Sequence, residues 1–527
     1  MSKDFTRREF VGTTSLALGA MIVPRHVLGR GYRAPSATLN VAVVGVGGMG
    51  MQNMKRLLGE NIVALCDVDF PHVERALTRE MRPRQGATGP SEEALKLRDA
   101  YVKAAKYADF REMFDKQRDI DAVVIATPDH THAVVAMAAM QRRKHIYVQK
   151  PLTYSVYEAR LLAKTAAANG VVAEMGNQGH SMEGTRRITE IIASGVIGPV
   201  SEVYVWTDRP VRYWAQGIPR PVATGSAPAP TSPPPASSPP LNYDGTPAPP
   251  PPPPVWNMRT VDQAILEAMA KGPHTPPPGF NWDLFLGPAK EIPYHPAYHP
   301  FAWRGWVDFG VGAIGDMGAH LIDQPFWALG LTYPTSVSAT STPWGGGERT
   351  PATYPLATMV QYEFAARPAL GGGGSAAQPP VKMYWYDGGL MPPRPPFLPD
   401  DITLPRADGG GGVFVGTRGI LVYETYGNNP KVYPASVAEE AERVAKTVPR
   451  IEVPHEVNFA QACKGEAKTS APFDYSAALT ETMLLGLVAL RAGQGKKVFY
   501  DGAGMQFTNA PDVNQYLTRE YRAGWGL

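Results

Sequence analysis

Cysteine is almost absent from this chain of 527 residues, which contains only Cys66 and Cys463. The two lie far apart in the sequence, and both stand in apolar surroundings. This number and separation argue against a disulfide framework and against a cysteine-based metal site. We therefore interpret both as small buried hydrophobic residues.

An excess of charge of one sign is also lacking. The 51 Lys and Arg residues nearly balance the 48 Asp and Glu residues, and the net charge is +3. No long basic run and no basic stretch with interleaved aromatic residues is present, which argues against a nucleic-acid partner. The hydrophobic fraction of 44% and the charged fraction of 19% are typical of a globular protein. The length predicts two domains with insertions.

Two catalytic patterns are missing as well. No nucleophile-elbow sequence is present, so a Ser-His-Asp triad is not indicated. His130 and His132 stand two residues apart, but no convincing third ligand accompanies them. We therefore predict no metal site.

The N-terminus lacks an apolar run long enough for a membrane anchor. Residues 10–23 are apolar, and as a helix they span about 21 Å against a hydrocarbon core of roughly 30 Å. Arg7 and Arg8 precede this run, which is the pattern of a twin-arginine signal. We predict that residues 1–35 are this signal and a linker, and that the twin-arginine machinery exports the folded protein to the periplasm.

The first motif with chemical meaning is a glycine-rich turn between a strand and a helix. The β-rich run 39–44 leads into Gly45-Val46-Gly47-Gly48-Met49-Gly50, and a helical stretch follows to Leu58. This is G-x-G-x-x-G in the context that dinucleotide binding requires. Gly45 permits the tight turn, Gly47 permits close approach of a pyrophosphate, and Gly50 permits close packing of the helix on the strand. The free N–H groups of the helix then face the phosphates.

The next strand ends in an acid. Residues 62–65 are apolar, and Cys66-Asp67 follows. An acid at this spacing accepts hydrogen bonds from both ribose hydroxyls and repels a 2′-phosphate, so the pattern favours NAD over NADP. A plain turn residue at the end of the strand is the alternative for Asp67.

Three further runs, 121–126, 145–148 and 171–175, are typical of buried parallel strands. Ligands of an open parallel sheet bind beyond the carboxyl ends of its strands, so the polar residues there are candidate site residues. These are Thr127, Pro128 and His132 after the first run, Gln149 and Lys150 after the second, and Asn177, Gln178 and His180 after the third. We predict a Rossmann domain over residues 36–176 and an α/β domain over residues 177–527.

Together these motifs resemble the glucose–fructose oxidoreductase / inositol dehydrogenase family (Gfo/Idh/MocA). The resemblance rests on the glycine turn, Ala64–Asp67, Ala126–His132, Gln149-Lys150-Pro151, Gly176–His180, Trp303-Arg304 and Gly312–Asp323. The family usually has Glu before Lys-Pro, where this chain has Gln149. The resemblance implies a doubly wound parallel Rossmann sheet followed by a domain with a large, mainly antiparallel sheet. It also implies that this second sheet covers the substrate and joins subunits into a homodimer or tetramer.

Hydride transfer needs a nicotinamide, a substrate carbon held against it, and a group that handles the hydroxyl proton. We predict that Lys150, at a strand end, hydrogen-bonds the reacting oxygen. Asp316 and His320 are four residues apart in an apparent helix and share a face, and Asp323 follows His320 by three residues. A carboxylate beside His320 would hold one tautomer and raise the basicity of the ring. A surface lysine and a core histidine are the alternatives for Lys150 and His320.

The catalytic prediction assigns one role to each group. His320 accepts the proton, Lys150 orients the alkoxide, and Asp316 binds a substrate hydroxyl or tunes the pair. The resemblance places Trp303 and Arg304 near the nicotinamide, and Asn177 is predicted to bind cofactor. Gln178 and His180 are predicted to donate hydrogen bonds to sugar hydroxyls.

Residues 219–254 form a low-complexity insertion in the second domain. Sixteen of these 36 residues are proline. Such a segment cannot build a core, so we predict an exposed insertion of polyproline-II character.

Three function classes stay open. The leading hypothesis is an NAD-dependent oxidoreductase that acts on a hydroxyl or ketone of a sugar, cyclitol or glycoside. The alternative is a glycoside-cleaving enzyme that uses bound NAD for transient oxidation followed by elimination. A cofactor-binding protein without catalysis would need neither Lys150 nor His320. Because free NAD is scarce outside the cytoplasm, export favours a tightly bound cofactor.

Overall fold

The computed structural model describes residues 38–221, 265–347, 350–368, 377–406 and 409–527, apart from Arg84, Leu266 and residues 271–273. The predicted twin-arginine signal and most of the predicted proline-rich insertion lie outside the described residues.

The first domain is built on a six-stranded parallel sheet with the strand order β3-β2-β1-β4-β5-β6. Its strands are β1 (Asn40–Val44), β2 (Asn61–Cys66), β3 (Ala105–Tyr107), β4 (Ala122–Ile125), β5 (His145–Gln149) and β6 (Ala173–Gly176). This is the doubly wound order of a dinucleotide-binding sheet. The predicted parallel Rossmann sheet is therefore confirmed. The sequence analysis missed β3, because its three partly exposed residues carry no apolar run.

Helices connect these strands on both faces of the sheet. They are α1 (Met51–Arg56), α2 (Phe70–Glu80), α3 (Glu92–Lys103), α4 (Phe110–Lys116), α5 (Asp129–Gln141) and α6 (Val156–Asn169). Local chemistry fixes where several of them begin. Asp69 caps α2 by accepting a hydrogen bond from the His72 amide, and Ser155 and Glu158 form a capping box at the start of α6.

The second domain is built on a nine-stranded mixed sheet with the order β13-β12-β11-β7-β10-β9-β8-β14-β15. Its strands are β7 (Val200–Trp206), β8 (Ser336–Ser341), β9 (Thr358–Phe364), β10 (Val381–Tyr386), β11 (Gly411–Gly416), β12 (Ile420–Glu424), β13 (Lys431–Tyr433), β14 (Val498–Asp501) and β15 (Gln506–Phe507). Only the β7–β10 pair is parallel, so the predicted mainly antiparallel sheet is confirmed.

The helices of the second domain cover one face of this sheet and reach the first domain. They are α7 (Glu183–Ala193), α8 (Trp282–Leu286), α9 (Gly312–Leu321), α10 (Asp323–Ala328), α11 (Ala435–Glu442), α12 (His455–Cys463) and α13 (Phe473–Arg491). Within the described ranges, α13 is the one helix long and apolar enough to cross a membrane, and 78% of its apolar window is buried inside the protein. The Tyr362 hydroxyl of β9 donates to the Met483 carbonyl, which attaches α13 to the sheet.

An aromatic cluster is formed by residues between positions 280 and 309. Its buried rings stack edge to face or face to face, and Tyr298 and Phe309 are almost fully buried. The cluster consists mainly of Phe280, Trp282, Phe285, Tyr294, Tyr298, Trp303, Trp306 and Phe309. The segment 280–309 lies against the carboxyl end of the first sheet, where the backbone amide of Asn281 donates to the carbonyl of Val68.

Candidate functional site

A cavity of about 560 Å³, which we call the sheet-end cavity, lies at the carboxyl end of the parallel sheet. Its volume falls within the range of roughly 300–1,000 Å³ that is usual for ligand pockets. It extends from Asp67 past the glycine turn to Lys150. The predicted site residues that line it are Gly45, Gly47, Gly48, Met49, Asp67, Thr127, Pro128, Gln149, Lys150, Trp303, Arg304 and Asp316. Those outside its lining are Val46, Gly50, His132, Asn177, Gln178, His180 and His320.

The glycine turn has the close contacts that its sequence predicts. Gly45 has a φ of 81°, and a Cβ there would lie 2.7 Å from the backbone of Ala126. A Cβ on Gly50 would lie 2.0 Å from the Gly45 carbonyl oxygen, so this residue lets α1 approach the turn. Next to Gly48 the space is open, because a Cβ there would meet nothing within 4 Å. The turn therefore presents a cradle to the cavity.

Asp67 lies at the end of β2, beside this turn. Its Oδ2 accepts hydrogen bonds from the amides of Val46 (2.6 Å) and Gly47 (3.2 Å), and its Oδ1 accepts one from the Asp69 amide (2.9 Å). Burial raises the pKa of Asp67, and these hydrogen bonds partly offset the increase. The carboxylate lines the cavity where the sequence predicts a ribose-binding acid.

Three cationic side chains meet the carboxylate of Asp316 at the other end of the cavity. Lys150 Nζ donates to Asp316 Oδ1 (3.0 Å) and to the Asp316 carbonyl (2.6 Å). Arg304 Nε donates to the same Oδ1 (3.1 Å), and Arg209 Nε lies 3.7 Å from Oδ2. Burial by itself would raise the pKa of Asp316, but the charges of Lys150 and Arg304 outweigh it and hold this pKa well below its usual range. The carboxylate is therefore ionised.

His320 lies one turn after Asp316 on α9, as the sequence predicts. Its ring is buried, makes an edge contact with Tyr426 at 4.6 Å between centroids, and its Nδ1 has no hydrogen-bond partner among the described residues. Burial and the charge of Lys150 lower the pKa of His320 well below its usual value, against the opposing effect of Asp316. The imidazole is therefore neutral.

The carboxylate of Asp323 pairs with groups other than His320. The chain leaves α9 at Leu321, and Asp323 begins α10. Its Oδ1 accepts hydrogen bonds from His180 Nδ1 (2.9 Å) and from the Tyr475 hydroxyl (2.6 Å). The expected increase in the basicity of His320 is wrong, because burial and Lys150 outweigh the nearby carboxylate.

The three predicted polar residues after β6 differ in their surroundings. His180 is buried in the second domain, with its ring 4.3 Å from that of Trp327 and 4.7 Å from that of Tyr475. It therefore packs against aromatic rings instead of lining the sheet-end cavity. Asn177 is fully buried, and its side-chain amide has no hydrogen-bond partner in the described part of the chain. Gln178 is only partly buried.

The His132 ring, which the sequence predicts to contact the cofactor, lies between two backbone carbonyls. Its Nε2 lies 2.8 Å from the Thr127 carbonyl and its Nδ1 lies 2.9 Å from the Pro151 carbonyl. Burial lowers the pKa of His132 to about 4, although both carbonyls oppose this. The ring therefore braces the two turns that carry Thr127 and Lys150. His130 is buried in the same way between the carbonyls of Phe285 and Phe309.

Three residues of the site were missed by the sequence analysis. Asp129 lines the cavity, its Oδ2 accepts a hydrogen bond from the Val311 amide (3.1 Å), and burial raises its pKa to about 7. Asp129 stands in the same segment after β4 as Thr127. Arg209 follows the end of β7 in the same way. Position after a strand could have identified both. Tyr426 follows the end of β12 by two residues, so the same signal marks it.

The residues present fit a dinucleotide. The cavity contains the glycine cradle and the Asp67 carboxylate, and the buried Thr127 hydroxyl has no hydrogen-bond partner within the described ranges. A parallel sheet with this cradle and a lysine–aspartate pair beyond it defines the class of two-domain, dinucleotide-binding dehydrogenase folds.

Family comparisons narrow this class. Residues 39–177 match the family model "Oxidoreductase family, NAD-binding Rossmann fold", and residues 262–343 match "Oxidoreductase family, C-terminal alpha/beta domain". Two stretches of the chain, one in each domain, therefore match models of the Gfo/Idh/MocA oxidoreductase family, and the first stretch matches its NAD-binding Rossmann fold.

Individual relatives are distant. Inositol 2-dehydrogenase of Salmonella typhimurium is 26% identical over 167 residues, which are 31% of this chain and 43% of that protein. A glycosyl hydrolase family 109 protein of Shewanella woodyi is 32% identical over 133 residues, 25% of this chain and 26% of the relative. The chain thus matches less than half the length of these curated relatives.

A solved structure shows the same fold. The WlbA dehydrogenase from Chromobacterium violaceum, in complex with NADH and UDP-GlcNAcA, superposes with a TM-score of 0.51 and 14% identity. The superposition covers 88% of this chain and 97% of that one.

Proposed function

We propose that this protein is an NAD-dependent oxidoreductase that transfers a hydride to or from a hydroxyl-bearing carbon of a sugar, cyclitol or glycoside. The observation that carries the proposal is the contact of Lys150 with Asp316 at one end of the sheet-end cavity. His320 follows one turn later on the same helix. A protein that only binds cofactor has no need for a paired ammonium and carboxylate at this end of the cavity.

Different side chains bind the oxygen of the substrate and accept its proton. The nicotinamide supplies the hydride acceptor or donor. The Lys150 ammonium has three protons, and two of its hydrogen bonds go to Asp316, which leaves one for the oxygen of the substrate. The ionised Asp316 holds the ammonium in place. His320, which burial keeps neutral and which lies behind the lining of the cavity, is the proposed acceptor of the hydroxyl proton when the alcohol is oxidised.

The cofactor preference rests on Asp67. A buried carboxylate beside the glycine turn accepts hydrogen bonds from ribose hydroxyls, whereas it repels a 2′-phosphate. NAD is therefore the preferred cofactor. Gly47, Gly48 and Thr127 would hold its phosphates, and Trp303 and Arg304 would lie near its nicotinamide.

Export through the predicted twin-arginine signal bears on how the cofactor is used. A protein outside the cytoplasm has little free NAD, so we infer that the dinucleotide stays bound and that a second substrate reoxidises it. Denaturation of the native, purified protein should release close to one dinucleotide per chain. A protein that folds and yet releases no dinucleotide would refute the retention.

Cleavage of glycosides is a second candidate, favoured by the similarity to a glycosyl hydrolase family 109 protein. Such an enzyme would oxidise the sugar, eliminate the aglycone and return the hydride to the sugar. Lys150 and His320 serve the oxidation step in both candidates. Only the fate of the glycosidic bond separates them.

One experiment distinguishes these activities. The holoprotein is treated with a panel of glycosides and polyols, and the nicotinamide absorbance and the products are followed together. Lasting reduction of the cofactor with a keto-sugar product supports the oxidoreductase. Aglycone release without lasting reduction supports the cleaving enzyme. No change in absorbance or product with any member of the panel would contradict both.

We also propose that the protein forms a homo-oligomer through the outward face of the second sheet. On this face the rings of Tyr204 (β7) and Tyr384 (β10) stack at 5.2 Å between centroids, and both are only partly buried. Met359 of β9 lies beside them. An aromatic and apolar sheet face of this kind is suited to contact a second subunit.

A further inference from the structure

A segment of the second domain closes over one side of the sheet-end cavity. We call residues 279–301 the clasp. Leu284, Phe285, His299, Pro300 and Phe301 of the clasp line the cavity together with Asp67 and the glycine turn. The clasp therefore covers the half of the cavity in which the ribose-binding acid lies.

One edge of the clasp is buried deeply in the protein. The ring of His130, which is fully buried, lies 2.8 Å from the Phe285 carbonyl. Phe285 and the fully buried Phe309 are in edge contact at 5.2 Å between ring centroids. Arg522 adds hydrogen bonds to Asp283 and to the Gly287 carbonyl. This edge has the character of a hinge, because rings and hydrogen bonds hold it on several sides.

The opposite edge contacts the first domain. His299 Nε2 donates to Asp69 Oδ2 (2.8 Å), and the Asn281 amide donates to the Val68 carbonyl (2.8 Å). The His299 ring stacks on Phe280 at 4.4 Å between centroids, so it moves with the clasp. Asp69 is fixed to the first domain, because its Oδ1 caps α2 through the His72 amide. The His299–Asp69 contact thus joins a second-domain segment to the cofactor domain directly beside Asp67.

We propose that the clasp retains the dinucleotide, with the His299–Asp69 contact as its latch. The proposal rests on the NAD-dependent function proposed above. Exit of the adenosine half requires the clasp to lift at the latch edge while the hinge edge stays packed. The latch joins two protein side chains and does not include the ligand, so it stabilises the closed state with and without the cofactor. Breaking it should therefore speed both entry and exit, and it should change the dissociation constant little.

The test measures exchange of NADH on the full chain. Bound NADH is chased with excess NAD to obtain the dissociation rate constant, and titration gives the dissociation constant. The variants are His299→Ala and Asp69→Asn, and the second can keep the helix cap because Asn is a good N-cap residue. Lys290→Ala is the control, since Lys290 lies in the clasp with its side chain 78% exposed.

Both latch variants should raise the dissociation rate constant about tenfold, because each loses one charge-assisted hydrogen bond. The dissociation constant should stay within about twofold of the wild-type value. The double variant should add little to either single variant. An unchanged exchange rate in Asp69→Asn would refute the latch. Faster exit with an equally weakened dissociation constant would also refute it, because His299 would then hold the ligand directly. A wild type that binds no NADH would refute the proposed function instead.

Discussion

The carboxylate of Asp316 organises the catalytic end of the cavity at the scale of single residues. It accepts hydrogen bonds from Lys150 and Arg304, and Arg209 approaches its second oxygen. Loss of one cation leaves the carboxylate with another partner, so the site should survive substitution of Lys150. This separates the catalytic role of Lys150 from a structural one.

Replacing Lys150 with Ala should reduce turnover by roughly a thousandfold or more, because the ammonium that stabilises the developing alkoxide is lost. Dinucleotide content should stay near the wild-type value, since Arg304 still neutralises Asp316. Steady-state kinetics and the dinucleotide released on denaturation measure the two effects. Lys103→Ala, at an exposed position at the end of α3, is the control. Near-normal turnover in Lys150→Ala would dismiss the catalytic role.

Glu174 of β6 gives a pH prediction. Its Oε1 accepts hydrogen bonds from the Ser470 and Ala471 amides, and its Oε2 has no partner in the described part of the chain. Burial raises the pKa of Glu174 to about 7. The neutral acid is thus favoured in the folded state, and its contribution to stability is present below pH about 4.5 and lost as the pH rises through about 7.

Replacing Glu174 with Gln should remove this loss of stability at high pH. Between pH 5 and pH 8 the free energy of unfolding of the variant should rise by about 2 kcal/mol relative to the wild type. Denaturant unfolding at several pH values measures the difference. Glu92→Gln, at an exposed position, should show no such trend. A difference between Glu174→Gln and wild type that is independent of pH would contradict the assignment.

At the scale of elements, the strand–turn–helix unit β1–α1 depends on the backbone of Gly45. A Cβ in Gly45→Ala would stand at a φ of 81° and 2.7 Å from the Ala126 backbone. We expect a loss of about 2 kcal/mol or more in the free energy of unfolding, together with weaker dinucleotide binding. Gly89→Ala is the control for stability, because its Cβ meets nothing within 4 Å. Equal stability of the two variants would show that the turn relaxes.

The whole molecule should be an oligomer if the outward face of the second sheet is an interface. Replacing Tyr384 with Glu would place a charge in the stacked pair with Tyr204, and we expect dissociation to monomers. Sedimentation velocity measures the mass. Val102→Glu adds the same charge at a position on the first domain that is 68% exposed, and it should leave the mass unchanged. A wild type that is monomeric would end this proposal.

Prediction from the sequence succeeded where the information is local. The turn at Gly45 follows from side-chain spacing and backbone preference within a few residues. The helix that carries Asp316 and His320 was also predicted, since four residues make one turn. The short strand β3 was missed, because its pairing with β2 and not its own sequence makes it a strand.

The sequence by itself determined the parallel sheet, the glycine cradle and the position of Lys150 at a strand end, because hydrophobic period and turn chemistry act along the chain. The tertiary structure alone decided the partners of the buried polar groups. The His132 ring lies against the Thr127 carbonyl. In the folded chain Asp323 contacts His180, and His299 contacts Asp69. Such pairings join residues far apart in the chain, and the need to satisfy buried charges and donors selects them only once the domains have packed together.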